Sequence, residues 1–209
     1  MGQKHCDKHN HLFDQPQLSD SSCEIAEGGL RNQFLIAMPS LTDSTFAHTI
    51  TYICEHNAEG ALGFVINHPL DIKLNEIYQQ LELDDLSTSQ QQEVLCGGPL
   101  QPENGFILHS NDKTFESSLT ISSDICLTAS KDVLVEMAKN NGPEKAIVAL
   151  GYAGWSPGQL EKEISENAWL TVPADPNIIF DVPCEQRWAS VSKYLGIDLN
   201  LIHSTAGHA

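Results

Sequence analysis

The sequence predicts an α+β fold with a mixed β-sheet, and three observations lead to that prediction. Strand-like segments come early and pair across a short turn, as in residues 49–67. Segments with helical spacing of apolar residues follow later, without a regular alternation of strand and helix. The composition, 41% hydrophobic over 209 residues, is that of a globular chain that can bury a large core.

Residues 1–29 are predicted to form a flexible extension because they hold no sustained apolar pattern, and residues 30–209 to form one domain. The extension contains residues that could bind a metal adventitiously: His5, Cys6, His9, His11 and Cys23. No ordered scaffold is predicted to fix these side chains in a tetrahedral arrangement. We therefore expect neither a metal nor a cofactor.

Strands are predicted where apolar or β-branched residues run between turn signals. The predicted strands are residues 34–38 before Pro39, 49–54, 61–67, 94–96, 105–109, 121–129, 146–150 and 168–172, with a further apolar run at 178–180.

Helices are predicted where apolar residues recur every three or four positions. They are a short turn opened by Asp43 and Ser44, a helix over residues 73–81, a helix capped by Ser130, a helix after Ser156, and a last helix over residues 185–195 that Gly196 ends. Residues 84–92 are predicted to be a polar linker.

Residues 146–170 are predicted to organise the domain as a strand, a glycine loop and a capped helix. Three glycines follow the apolar strand within eight residues: Gly151, Gly154 and Gly158. Because glycine tolerates positive φ and close backbone approach, these residues predict a tight loop.

Residues 154–158 also spell the G-x-S-x-G of a nucleophile elbow. In that elbow the residue after the serine supplies a backbone N–H to the oxyanion hole, and Pro157 has no N–H. Losing one such donor costs about 10²–10³ in rate. The sequence therefore favours Ser156 as a helix N-cap, with Gln159 placed to complete a capping box.

The chain carries 28 acidic and 11 basic side chains, for a net charge of −17, and its two arginines are Arg31 and Arg187. Since phosphate contacts dominate nucleic-acid affinity, we do not expect direct binding to DNA or RNA.

No apolar run approaches the roughly 18 residues of a membrane span, and no signal peptide is recognised. We expect a cytoplasmic protein without membrane contact, whose six cysteines are reduced.

Three residues are candidates for catalysis: His56, His109 and Cys96. Cys96 borders the glycine turn Gly97-Gly98-Pro99, and a cysteine and a histidine could carry hydrolytic or redox chemistry if the fold brought them together. The missing oxyanion donor and the lack of a paired-carboxylate motif or a metal signature favour binding over catalysis.

The binding candidates are two glycine turns and the aromatic residues beside them. Tyr152, Trp155 and Trp169 could line a shallow apolar groove next to Gly97-Gly98-Pro99. The alternative is that Trp155 fills the core under its loop. The predicted binding residues are Gly97, Gly98, Pro99, Gly151, Tyr152, Gly154, Trp155, Gln159 and Asn67.

Several segments resemble the AlgH/YqgE family of bacterial proteins. They are FLIAMPSLTDSTF (34–46), ITYICEHNAEGALGFVINHP (50–69), CGGP with GFILH (96–109), ALGYAGWSPGQLEKEI (149–164), NAWL (167–170) and AGHA (206–209). The resemblance runs from about Leu30 to the C-terminus, and it implies an α/β sandwich with coiled, bifurcated sheets.

The resemblance does not supply a reaction, since family members are labelled transcriptional regulators on genetic grounds. We expect a non-enzymatic interaction or regulatory protein, monomeric, whose apolar cleft takes a partner protein or a small apolar ligand. The alternative is a hydrolase or redox enzyme that uses the His and Cys candidates at the same cleft.

Overall fold

The computed structural model describes residues 29–38, 41, 45–83 and 91–196. Several predictions concern residues outside these ranges. They are the extension with its histidines and cysteines, the strand stop at Pro39, the turn opened by Asp43 and Ser44, most of the 84–92 linker and the terminal AGHA segment.

The described residues form ten strands: β1 (Gln33–Ala37), β2 (Ile50–Asn57), β3 (Gly60–Val65), β4 (Pro69–Lys73), β5 (Glu93–Cys96), β6 (Leu100–Ser110), β7 (Leu119–Thr120), β8 (Ile125–Thr128), β9 (Ala146–Trp155) and β10 (Trp169–Pro173). They also form five α-helices: α1 (Leu74–Gln80), α2 (Lys131–Ala138), α3 (Gln159–Ser165), α4 (Pro176–Phe180) and α5 (Arg187–Leu195). A 3-10 turn, Cys184–Gln186, leads into α5. None of these helices is long and apolar enough to cross a membrane.

Strand β9 is the branch point of the sheet. The strands follow the order β10-β1-β2-β3-β9-β6-β8-β7, and β5, paired with β4, joins the first half of β9. The β5–β9 pair is parallel, and the pairs β3–β9 and β6–β9 are antiparallel. The prediction of an α+β fold with a mixed, bifurcated sheet is therefore confirmed.

Three apolar clusters lie around the branched sheet. The central cluster contains Phe34, Phe64 and Phe106 and is closed at one side by Ile179 of α4 and Val191 of α5. A second cluster packs α1 and α2 against the β5–β9 region, and a third packs α3 against β1 and the end of β9. This layering is that of a sandwich, because each sheet region is covered on both faces.

The prediction of a glycine loop after residue 150 is wrong. Strand β9 continues to Trp155, because residues 153–155 pair with residues 61–63 of β3. Gly151, at φ +70°, lies opposite the irregular part of β6 between Leu100 and Gly105. The glycine there permits a bulge inside a strand and not the end of one.

The prediction of Ser156 as an N-cap is also wrong. Helix α3 begins at Gln159, and the N-cap position is Gly158, at φ +74°, with no side-chain cap bond. Half of the predicted capping box is present, since Gln159 Oε1 accepts the Ser156 N–H at 3.0 Å.

Other segments also differ from the predictions. The strand predicted at 121–129 is shorter, since β8 begins at Ile125. Residues 121–124 form the turn that joins β7 to β8, because the N–H groups of Ile121 and Ser122 both donate to the Ile125 carbonyl. Strand β4 was not predicted. The apolar run 178–180 lies in helix α4, which Asp175 caps by accepting the Asn177 N–H at 2.9 Å.

Candidate functional site

The turn at Gly97 and Gly98 crosses directly over β9, and we call this contact the glycine crossing. The Gly97 N–H donates to the Leu150 carbonyl and the Val65 N–H donates to the Gly97 carbonyl, both at 2.8 Å. A Cβ atom on Gly98 would lie 2.2 Å from the Tyr152 carbonyl carbon, and one on Gly97 would lie 2.3 Å from the Gly151 oxygen. The protein's own backbone thus occupies the space that these glycines leave open.

The two tryptophans predicted for the groove are buried in the third cluster. Trp155 is 7% exposed and Trp169 is 4% exposed. Their indole N–H groups donate to the same oxygen, Glu163 Oε2, at 2.9 and 2.8 Å. This shared acceptor ties the end of β9 and the start of β10 to helix α3.

Tyr152 lies apart from these tryptophans. Its ring packs edge-on against Phe106, 5.7 Å between centroids, beside the central cluster. The prediction of one groove lined by all three aromatics is therefore wrong, because positions 152 and 155 face opposite sides of β9. Gly154 is exposed, and a Cβ atom added there would lie 2.8 Å from the Leu100 side chain, which is 43% exposed.

The amide groups of Asn67 and Gln159 are both used within the fold. Asn67 Oδ1 accepts the Ile50 N–H at 2.7 Å, and its Nδ2 donates to the His48 carbonyl at 2.8 Å. Gln159 Nε2 donates to Glu163 Oε1 at 2.9 Å. The binding roles assigned to these two residues, and to Gly97, Gly98, Pro99, Gly151, Tyr152, Gly154 and Trp155, stay predictions.

His56 joins β2 to two neighbouring segments. Its Nδ1 accepts the Leu30 N–H at 3.0 Å, so Nε2 carries the ring proton of the neutral form and donates to Glu161 Oε1 at 2.8 Å. The imidazole therefore anchors the start of the domain and helix α3 to the hairpin.

His109 is fully buried between β6 and β8. Its Nδ1 donates to the Ser110 carbonyl at 2.8 Å, and its Nε2 accepts from the Thr128 hydroxyl at 3.0 Å. Burial lowers the pKa of His109, since the charged ring would lose water contact. The arrangement suits a neutral ring with both nitrogens satisfied.

Cys96 is partly buried at the end of β5, where its N–H donates to the His68 carbonyl at 2.8 Å. Within the described residues, no hydrogen bond joins Cys96, His56 and His109 in any pairing. The same part of the chain holds no group of three His, Cys, Asp or Glu side chains that could bind a metal ion. The catalytic candidates are thus dispersed over three strands.

A pocket of about 450 Å³ lies elsewhere, under the connection between α4 and α5, and we call it the helix pocket. It is lined by residues 92, 93 and 95 around the start of β5, residues 144–147 at the start of β9, and residues 180–184 and 187 from the connection. Its lining includes two buried apolar side chains: Leu95 is 2% exposed and Ile147 is 7% exposed.

Two functional groups at the helix pocket are buried in the protein. Arg187 is 5% exposed, and its guanidinium donates from Nε to the Val182 carbonyl at 3.1 Å and from Nη1 to the Ile66 carbonyl. Burial raises the pKa of the Cys184 thiol to about 11, so this thiol stays protonated at neutral pH.

Ion pairs lie at the rim of the helix pocket. Lys145 Nζ pairs with Asp181 Oδ2 at 2.7 Å, and Lys73 Nζ pairs with Glu93 Oε1 at 3.3 Å. Sequence reasoning missed this pocket because its walls come from three distant segments without a motif. The one available signal was Arg187, one of two arginines, inside a predicted helix.

Comparison with known proteins identifies one family. Residues 34–200 match the AlgH-like family profile (DUF179). The UPF0301 protein of Saccharophagus degradans is 52% identical over 180 residues, covering 86% of this chain and 89% of that protein. The UPF0301 protein of Hahella chejuensis is 53% identical over 180 residues, covering 86% and 96% of the two chains.

Two solved structures have a similar fold. The solution structure of the AlgH protein from Pseudomonas aeruginosa has a TM-score of 0.72 at 44% identity, covering 90% of this chain and 100% of that chain. A crystal structure of a Corynebacterium diphtheriae protein, DIP2367, has a TM-score of 0.67 at 20% identity, covering 87% and 94%, and supports the fold alone.

Proposed function

The chain belongs to the AlgH-like family, and from this premise we propose that the protein is a non-enzymatic binding protein with a regulatory role in the cytoplasm. It takes up a small, partly apolar ligand in the helix pocket. The observation that carries this proposal is a pocket of about 450 Å³, a size typical of small-molecule sites, whose lining includes the buried apolar side chains of Leu95 and Ile147.

The chemistry of the pocket lining favours binding over catalysis. Nucleophilic catalysis needs an activated group beside a base, but the Cys184 thiol has a raised pKa and donates toward the Ile66 carbonyl at 3.8 Å. Lys145 is engaged with Asp181. These groups are suited to holding a ligand and not to transferring a proton or an acyl group.

Charge and cysteine chemistry support the remaining parts of the proposal. A net charge of −17 disfavours direct nucleic-acid binding, so any effect on transcription would be indirect. The four described cysteines, Cys54, Cys96, Cys126 and Cys184, are free thiols, as suits a reducing compartment. We propose that the protein is a monomer when it binds its ligand.

Titration of benzamide into the ¹⁵N-labelled full chain tests the pocket by NMR. We expect shift changes at the amides of residues 145–147, 180–182 and 184, which line the helix pocket. Phe180→Ala removes a ring from the lining and should weaken the response. Tyr194→Ala removes a ring that is 55% exposed on α5 and does not line the pocket, so it should have no effect.

Two results would overturn the proposal. Shift changes confined to residues outside the helix pocket would place the ligand elsewhere. Hydrolytic or redox turnover by the purified chain that is lost in His56→Ala, His109→Ala or Cys96→Ser would support the alternative of an enzyme.

A further inference from the structure

The guanidinium of Arg187 is buried, and its bonds within the described part of the chain go to backbone groups. Its hydrogen bonds run from Nε and Nη1 to two backbone carbonyls. Among the described residues, no carboxylate forms an ion pair with it. A guanidinium group has five N–H donors, two of them on Nη2. The two hydrogen bonds to Val182 and Ile66 use neither of the Nη2 donors.

A buried charge in this state favours an anionic ligand. Buried charged groups are ordinarily paired, because removing a charge from water is strongly unfavourable when no opposite charge is near. Burial lowers the pKa of Arg187, while the charges of Cys184, Glu93 and Glu185 act in the opposite direction. Glu93 is itself paired with Lys73.

The rim of the pocket limits the charge that such a ligand can carry. Asp181 and Glu93 are held by lysines, whereas Glu144 is exposed at the rim. A ligand with two negative charges would meet repulsion from these acids. One negative charge placed deep in the pocket matches the one charge of the Arg187 guanidinium, and a carboxylate can accept two parallel N–H bonds from it.

We propose that the ligand of the helix pocket is a monocarboxylate with an apolar body, and that Arg187 binds its carboxylate. The apolar body lies on Leu95 and Ile147 beside the Phe180 ring. This inference rests on the proposed function, because it names the class of ligand for the same pocket.

Four probes of similar shape test the proposal: benzoate, benzamide, benzylamine and phenyl phosphate. Each is titrated into the ¹⁵N-labelled full chain at pH 7 and constant ionic strength, and the amide shift changes at residues 145–147, 180–182 and 184 give the Kd. We expect benzoate to bind about tenfold more tightly than benzamide, with phenyl phosphate and benzylamine weaker than benzoate. This comparison needs no variant.

Two Arg187 variants check the residue assignment. Arg187→Gln removes the charge and should bind benzoate no better than benzamide. Arg187→Lys retains the charge and should keep part of the preference.

The outcomes separate the two proposals. Equal binding of benzoate, benzamide and benzylamine in the pocket would overturn the carboxylate assignment and leave the proposed function standing. Tighter binding of phenyl phosphate would assign a phosphate ligand instead. If no probe shifts the pocket residues, both proposals fail.

Discussion

The glycine crossing and the helix pocket both lie against β9, but they differ in what fills the space beside that strand. At the crossing, the backbone at Gly98 comes so close to Tyr152 that a single Cβ atom would clash at 2.2 Å. At the pocket, the connection between α4 and α5 spans the start of β9 and leaves about 450 Å³. The glycines provide room for the protein's own chain, whereas the pocket provides room for another molecule.

This difference shows how a glycine-rich segment can suggest a ligand site and serve the fold instead. Both close backbone packing and ligand approach require the absence of a side chain. The two uses differ in whether protein atoms already occupy the vacant volume. At Gly97 and Gly98 protein atoms do occupy it. We therefore expect substitutions at these two glycines to lower the stability of the fold.

Gly98→Ala, at the glycine crossing, should lower the free energy of unfolding more than any other substitution proposed here. The new Cβ would meet the Tyr152 backbone, which cannot move without separating β9 from its neighbours. We expect a loss of more than about 4 kcal/mol, or no cooperative unfolding, in urea titrations followed by circular dichroism.

Gly158→Ala is the matched control for Gly98→Ala. Gly158 also has positive φ, +74°, but no atom lies within 4 Å of its added Cβ. It should lose only the roughly 1–2 kcal/mol of left-handed backbone strain. Equal losses in the two variants would contradict the explanation by contact.

Glu163→Ala should have the next largest effect, since it leaves two mostly buried indole N–H groups, those of Trp155 and Trp169, without their acceptor. We expect a loss of about 1–3 kcal/mol in the free energy of unfolding. Glu163→Gln keeps an oxygen at this position and should lose less. An unchanged stability in Glu163→Ala would mean that water replaces the carboxylate.

His109→Gln should reduce the pH dependence of stability. Burial lowers the pKa of His109 in the folded state, so the unfolded chain, whose histidines titrate near about 6.5, takes up this proton first. The contribution of neutral His109 to the free energy of unfolding is therefore fully present above about pH 6.5 and is lost as the pH falls.

Urea titrations at pH 7.5, 6.0 and 5.0 measure this effect. His68, whose pKa burial also lowers, contributes in the same direction in both proteins, so the difference in slope isolates His109. Asp112 and Asp132 act in the opposite direction on His109. Identical slopes in wild type and His109→Gln would show that the ring is not held neutral.

Ser156→Ala should have the smallest effect, within about 0.5 kcal/mol, because Ser156 is exposed and lies outside helix α3. Asp175→Ala provides the contrast, since Asp175 does cap a helix, and it should lose about 0.5–2 kcal/mol. Thermal unfolding of both variants makes the comparison. If Ser156→Ala were as costly as Asp175→Ala, the N-cap prediction would be restored.

Local patterns in the sequence predicted much of the fold. The hairpin of β2 and β3, helix α1 and helix α5 with its end at Gly196 depend on residues close in sequence, and their predictions are confirmed within a few residues. The course of β9 past Gly151 depends instead on pairing with β3, which lies far away in the chain. A single sequence does not show that pairing.

The same limit applies to the candidate site. The sequence marked His109 as a possible catalyst, but its partner Thr128 lies on another strand and its burial is a property of the assembled sheet. Arg187 was visible only as a scarce arginine. Its proposed role depends on its burial and on its hydrogen bonds to the Val182 and Ile66 carbonyls. Only the folded chain brings these groups together.

The position of β9 as the branch point sets the order in which a newly synthesised chain can complete its fold. Before residue 146 leaves the ribosome, β3, β5 and β6 each lack one neighbour, because that neighbour is β9 in all three cases. Three strand edges stay open until one ten-residue segment closes them together. Pairing of this kind, between residues far apart in sequence, makes folding slow and leaves the incomplete chain dependent on protection from aggregation.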